Sequence, residues 1–86
     1  MGQLEDMGVF VRVVEAGGIS RAAEQLDLAK SAVSRRLVEL ETRLGVRLLN
    51  RTTRTSSLTD AGQRYYERAV KIFDDVNELN TTTSDS

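Results

Sequence analysis

The 86-residue chain has neither cysteine nor histidine. Without cysteine there is no disulfide and no thiolate metal site, and the sequence suits a reducing cytosol. Without histidine the commonest general base is missing as well, and the acidic residues are scattered with no spacing that converges two of them on a pocket. A glycine-rich phosphate cradle is also lacking, because Gly17-Gly18 follows a helical pattern instead of a strand. These absences argue against an enzyme, and no cofactor or metal is expected. No apolar run approaches the roughly 20 residues of a membrane span, and the first residues lack the basic region and apolar core of a secretory signal. A soluble, cytoplasmic protein with no membrane partner is therefore expected.

What the chain does contain is ordinary in bulk: 40% hydrophobic and 29% charged residues, enough for one small globular domain. The net charge of −1 argues at first against a nucleic-acid partner. Its distribution reverses that reading. Two arginines face five carboxylates over residues 1–29, seven cations face two carboxylates over residues 30–54, and three cations face six carboxylates in the remainder. Six of the seven central cations are arginine, whose planar fork suits phosphates and guanine edges. On charge alone, a merely solvated face remains an alternative.

Periodicity divides the chain into short helices. Over residues 4–16, Met7, Phe10, Val11 and Val14 recur at spacings of three and four, which predicts a helix with one buried stripe, stopped by Gly17-Gly18. A second helix is predicted from Ser20, acting as N-cap, to about Leu26; the small Ala22 and Ala23 let a crossing helix come close. A third starts near Lys30 or Ser31, buries Val33, Leu37, Leu40 and Leu44, and ends at Gly45. Its opposite face offers Lys30, Ser31, Ser34 and Arg35. Residues 46–49 and 55–58 read as two short strands around a polar tip at Thr52, Thr53 and Arg54. Thr59-Asp60-Ala61-Gly62 then caps a last helix, predicted to reach Leu79 and to be about 30 Å long. It carries two apolar stripes, Leu58, Tyr65, Ala69, Ile72, Val76 and Leu79 on one side and Tyr66, Val70 and Phe73 on the other. Two stripes imply two partners, the domain's own core and a second chain. Tyr65 and Tyr66 are read as packing residues rather than base-stacking platforms, and Glu39 with Arg43 as an ordinary surface pair.

The runs Ser20-Arg21-Ala22-Ala23-Glu24-Gln25-Leu26, Ser31-Ala32-Val33-Ser34-Arg35-Arg36-Leu37, Leu40-Glu41, Leu44-Gly45-Val46, Leu49-Asn50-Arg51-Thr52-Thr53-Arg54 and Leu58-Thr59-Asp60-Ala61-Gly62 stand in this order across nearly the whole chain. Together they resemble the N-terminal signature of the LysR-type transcriptional regulators. The resemblance implies a mainly α fold: a winged helix-turn-helix of three helices and a two-stranded β wing over residues 1–58, and a linker or dimerisation helix over 59–80; residues 81–86, with no apolar residue to bury, read as a disordered tail. It implies sequence-specific binding of double-stranded operator DNA by a homodimer, or a tetramer in a full-length protein. Lys30, Ser31, Ser34 and Arg35 are placed in the major groove, Arg54 near the minor groove, and Ser20, Arg36, Arg51 and Thr53 near phosphates. Tyr65, Ala69, Ile72, Val76 and Leu79 are assigned to dimerisation. A small-molecule inducer is implied only through a C-terminal domain outside these 86 residues.

Groove chemistry is consistent with those implied positions. Lys30 or Arg35 can donate to guanine O6 and N7, Ser31 and Ser34 are short enough to let the backbone approach, and an A·T-rich minor groove attracts a guanidinium. The chain departs from the family pattern in two places. Asp27 stands where the turn between the helices usually has glycine, at a position expected to be left-handed. Ala29, Lys30 and Ser31 replace the usual cap, glutamine and proline. Competing readings are a protein-interaction module whose basic segment binds an acidic protein, and a different winged-helix repressor or transposase domain.

Overall fold

The computed structural model describes residues 2–50 and 57–84. The apolar stripe of α1 (Gln3–Ala16) buries Met7, Val9, Phe10 and Val13. The helix stops where Gly17 turns left-handed at φ 87° and donates its N–H back to the Val13 carbonyl. The chain enters α2 (Ile19–Leu26) at once, so the helix begins one residue before the expected start. Gly18 is its N-cap, and Ser20 sits inside the first turn without capping it. Ala22 and Ala23 are buried in the same core as Val33 and Leu37, the close crossing that their small side chains permit.

Asp27 ends α2 in the left-handed region, φ 57° and ψ 46°, as expected from its place in the turn. The Leu28 N–H reaches back to the Ala23 carbonyl at 2.9 Å, a Schellman closure that reverses the chain into α3 (Lys30–Leu44). Val33, Leu37 and Leu40 of α3 complete the core with Phe10 and Val13. Helices α1, α2 and α3 therefore pack around one apolar centre, with the start of α3 directed away from it.

Among the described residues β1 (Leu49–Asn50) pairs antiparallel with β2 (Ser57–Leu58), Leu49 opposite Leu58 and Asn50 opposite Ser57. Residues 46–48, expected in the first strand, precede the ladder, and the buried Glu41 carboxylate takes the Leu48 and Leu49 N–H groups at 2.8 and 3.2 Å. The wing tip, residues 51–56, lies outside the described residues.

Thr59 joins the ribbon to α4 (Asp60–Ser84) through three hydrogen bonds. Its hydroxyl donates to the Arg47 carbonyl at 2.6 Å and accepts the Gly62 N–H at 2.9 Å, and its own N–H donates to the Leu48 carbonyl at 3.0 Å. The expected cap at 59–62 is thus present. Gly62 lies so close beneath Leu48 that a Cβ there would stand 2.0 Å from the Leu48 carbonyl oxygen. The helix runs well past Leu79 to Ser84, which corrects the expected tail at 81–84. Thr82 bonds its hydroxyl to the Glu78 carbonyl at 2.7 Å, back along its own helix.

Candidate nucleic-acid interface

The two faces of α3 separate sharply. Val33, Leu37 and Leu40 are buried, while Lys30, Ser31 and Arg35 are exposed and Ser34 is half-buried on the other side. Positions 30, 31, 34 and 35 fall on one face of the first turns, so the structure brings these four side chains together. Ala29, the N-cap of α3, makes no side-chain cap bond, and the positive end of the helix dipole opens on the same side as Lys30 and Arg35. Ser20 is exposed in the first turn of α2. Arg51, Thr53 and Arg54 lie outside the described residues.

Arg36, expected near a phosphate, is engaged by carboxylates of α1. Its Nη1 lies 3.2 Å from Glu5 Oε2 and 3.8 Å from Asp6 Oδ1, and its side chain is only 19% exposed. The cause is the first turn of α1, where two carboxylates face the middle of α3. Glu39 and Arg43 form no ion pair among the described residues.

Two of the expected dimerisation residues are occupied within the chain itself. Ala69 is buried, and Tyr65 lies edge-on to Phe10 with ring centroids 5.7 Å apart and an interplanar angle of 66°. Both belong to the protomer's own packing, the role read for Tyr65 from sequence as a packing residue. Tyr66 donates its hydroxyl to Glu15 at 3.2 Å, and Phe73 lies beside Gly8. Ile72, Val76 and Leu79 remain exposed, the last at 64%.

Sequence reasoning gave no structural role to two acids. Asp6 and Glu41 are both buried, although each is carried by an apolar stripe, with Asp6 beside Met7 and Glu41 beside Leu40. That misplacement of a charge on the inward face was the available signal. Glu41 does more than fill space: its Oε2 is 3.9 Å from Arg47 Nε and holds the base of the wing against the end of α3.

Residues 4–63 match the profile described as bacterial regulatory helix-turn-helix protein, lysR family. This chain belongs to the LysR family. It is 54% identical over 77 residues to the HTH-type transcriptional regulator CrgA of Neisseria meningitidis, covering 90% of this chain and 26% of that protein. This LysR-family chain thus spans about a quarter of the length of that curated relative. The BenM DBD solved with catB site 1 DNA matches with a TM-score of 0.91 and 33% identity, over 98% of this chain and 92% of the other. The CbnR DBD–DNA complex gives a TM-score of 0.87 and 31% identity, over 98% and 95% of the two chains. The fold is accordingly a winged helix-turn-helix followed by a long helix. Among the described residues no helix is long and apolar enough to cross a membrane.

Proposed function

We propose that this chain binds double-stranded DNA with sequence preference, as the DNA-reading part of a transcriptional regulator. The observation that carries this reading is the outward face of α3, where Lys30, Ser31, Ser34 and Arg35 surround an uncapped helix N-terminus. The fold around it matches domains solved on DNA. The long side chains of Lys30 and Arg35 reach base edges in a major groove, and Ser31 and Ser34 let the helix approach. Ser20, Arg51 and Thr53 are assigned to phosphates, and Arg54 to the minor groove, by the family resemblance of their positions.

The active species is a homodimer paired through the distal part of α4. Ile72, Val76 and Leu79 are left exposed on a helix longer than its core requires. The cations of α4, Arg64, Arg68 and Lys71, are interspersed with Asp60 and Glu67 in its first half, and Asp74, Asp75 and Glu78 follow. A dimer of this kind presents two reading helices to an operator with partial dyad symmetry.

The reading is tested by selecting bound duplexes from a random pool, then comparing variants on the selected duplex and on a scrambled one. Arg35→Ala is expected to cost about 1–3 kcal/mol on the selected duplex and to relax the preference, whereas Arg51→Ala weakens both duplexes equally. Equal loss on both duplexes for Arg35→Ala rejects its role as a base reader, and an unselective native chain rejects the proposal.

A further inference from the structure

We propose that Arg36 does not hold DNA but is a positioning residue, which with Glu5 and Asp6 fixes the axial rotation of the reading helix. The inference rests on the DNA-reading proposal above. Asp6 is 1% exposed, and neither of its carboxylate oxygens has a hydrogen-bond partner among the described residues. Among those residues Arg36 is also the one cation within ion-pair distance of it. Swinging the guanidinium out to a phosphate leaves a buried carboxylate uncompensated, a loss far larger than an exposed ion pair returns. Glu5, more exposed, supplies the second arm at 3.2 Å.

The placement of this clamp gives it a consequence for specificity. Arg36 follows Arg35, about 100° further round α3, so the same turn offers one guanidinium to solvent and anchors the other to α1. The first turn of α1 therefore acts on the angle at which Lys30, Ser31, Ser34 and Arg35 meet the base edges. A reading helix misplaced by a fraction of a turn keeps its charge and loses its register. Non-specific affinity, which depends on the number of phosphate contacts, is untouched.

The test measures binding of the native chain, Arg36→Gln, Asp6→Asn and the double variant to a duplex selected by the native chain and to a scrambled duplex, between about 50 and 200 mM salt. The expected result is that Arg36→Gln and Asp6→Asn each lower the selected-over-scrambled ratio by roughly tenfold, a loss comparable to one good base contact. The salt slope on either duplex stays at the native value, and the double variant is no worse than the single ones. Asp6 is buried on α1 and faces no DNA, so its variant isolates positioning from contact. A phosphate-binding Arg36 gives the opposite pattern: the slope falls by about 0.9 in Arg36→Gln, and Asp6→Asn, by freeing the guanidinium, tightens binding to both duplexes. That pattern overturns the assignment, as does a ratio unchanged in both single variants. If Arg36→Gln does not fold, Arg36→Lys and Asp6→Asn carry the same comparison. A native chain that prefers neither duplex overturns the DNA-reading proposal together with this one; a native preference that survives Arg36→Gln overturns only the clamp.

Discussion

Gly62→Ala sets two effects of opposite sign against each other. Helix propensity alone favours alanine over glycine inside α4 by up to about 1 kcal/mol. The structure predicts the reverse, because the new Cβ would lie 2.0 Å from the Leu48 oxygen and 2.9 Å from its carbonyl carbon, both backbone atoms that no rotamer change can move. Restoring an ordinary contact needs a separation more than about 1 Å larger between α4 and the base of the wing. That shift stretches the Thr59 N–H bond to Leu48, now 3.0 Å, and the Thr59 hydroxyl bond to Arg47, now 2.6 Å. Overpacking costs about 1–3 kcal/mol and each lost hydrogen bond about 1, so the net destabilisation is about 2–4 kcal/mol after the helix gain. For a domain of this size that lowers the melting temperature by roughly 8–30 °C. Thermal unfolding followed by circular dichroism measures it, with a urea titration as a second readout. A Gly62→Ala protein that melts at or above the native temperature refutes the reasoning, since propensity then outweighs the contact.

Asp27→Gly relieves about 1–2 kcal/mol of left-handed backbone strain and returns about 0.4–1 kcal/mol to unfolded-chain entropy, so the urea midpoint is expected to rise modestly; a lower midpoint contradicts this. Burial pushes the Tyr65 phenol above its ordinary value of 10.0. Because the folded state holds this proton more tightly than the unfolded one, its contribution to stability is complete below pH 10.0 and is lost as pH rises through the folded value. Tyr65→Phe should therefore shrink the fall in melting temperature between about pH 9 and 11, and an unchanged fall excludes Tyr65 as its source. Val76→Glu, at an exposed position, should leave the melt of the isolated protomer intact while sedimentation equilibrium shifts towards the monomer; a dimer of native strength places the interface elsewhere.

The helices were legible because their inward residues repeat with the helical period: Met7, Phe10, Val33, Leu37 and Leu40 lie where the spacing put them, although in α1 Val9 and Val13 are buried and the expected Val11 and Val14 are only half-buried. The Thr59 cap was legible from local chemistry, and the left-handed turn at Asp27 from the family resemblance. What sequence could not show depends on distant partners. Arg35 and Arg36 are the same residue type side by side, and only the fold reveals that one meets carboxylates 31 and 30 positions upstream. Glu41 looks like another surface acid until the chain doubles back and presents the Leu48 and Leu49 N–H groups to it. The two stripes of α4 were visible, but their division was not. Tyr65 and Ala69 turn inward against the domain, whereas Ile72, Val76 and Leu79 stay exposed although Phe73 still lies beside Gly8 of α1. The polar residues at 81–84 suggested fraying from composition, which does not register a hydroxyl bonding back along its own helix.

Helix α4 is anchored at one end and unsupported at the other. From Ala69, its last buried residue, to Ser84 the axis runs on for about 22 Å. A tilt of ~10° at the root displaces the tip by about 4 Å, so whatever is fixed to that tip acts on the domain with the leverage of a long arm on a short pivot. Small rotations where Thr59 and Gly62 seat the helix become, in the proposed dimer, large changes in the spacing of its two reading heads, and a force applied at the tip returns to the ribbon multiplied.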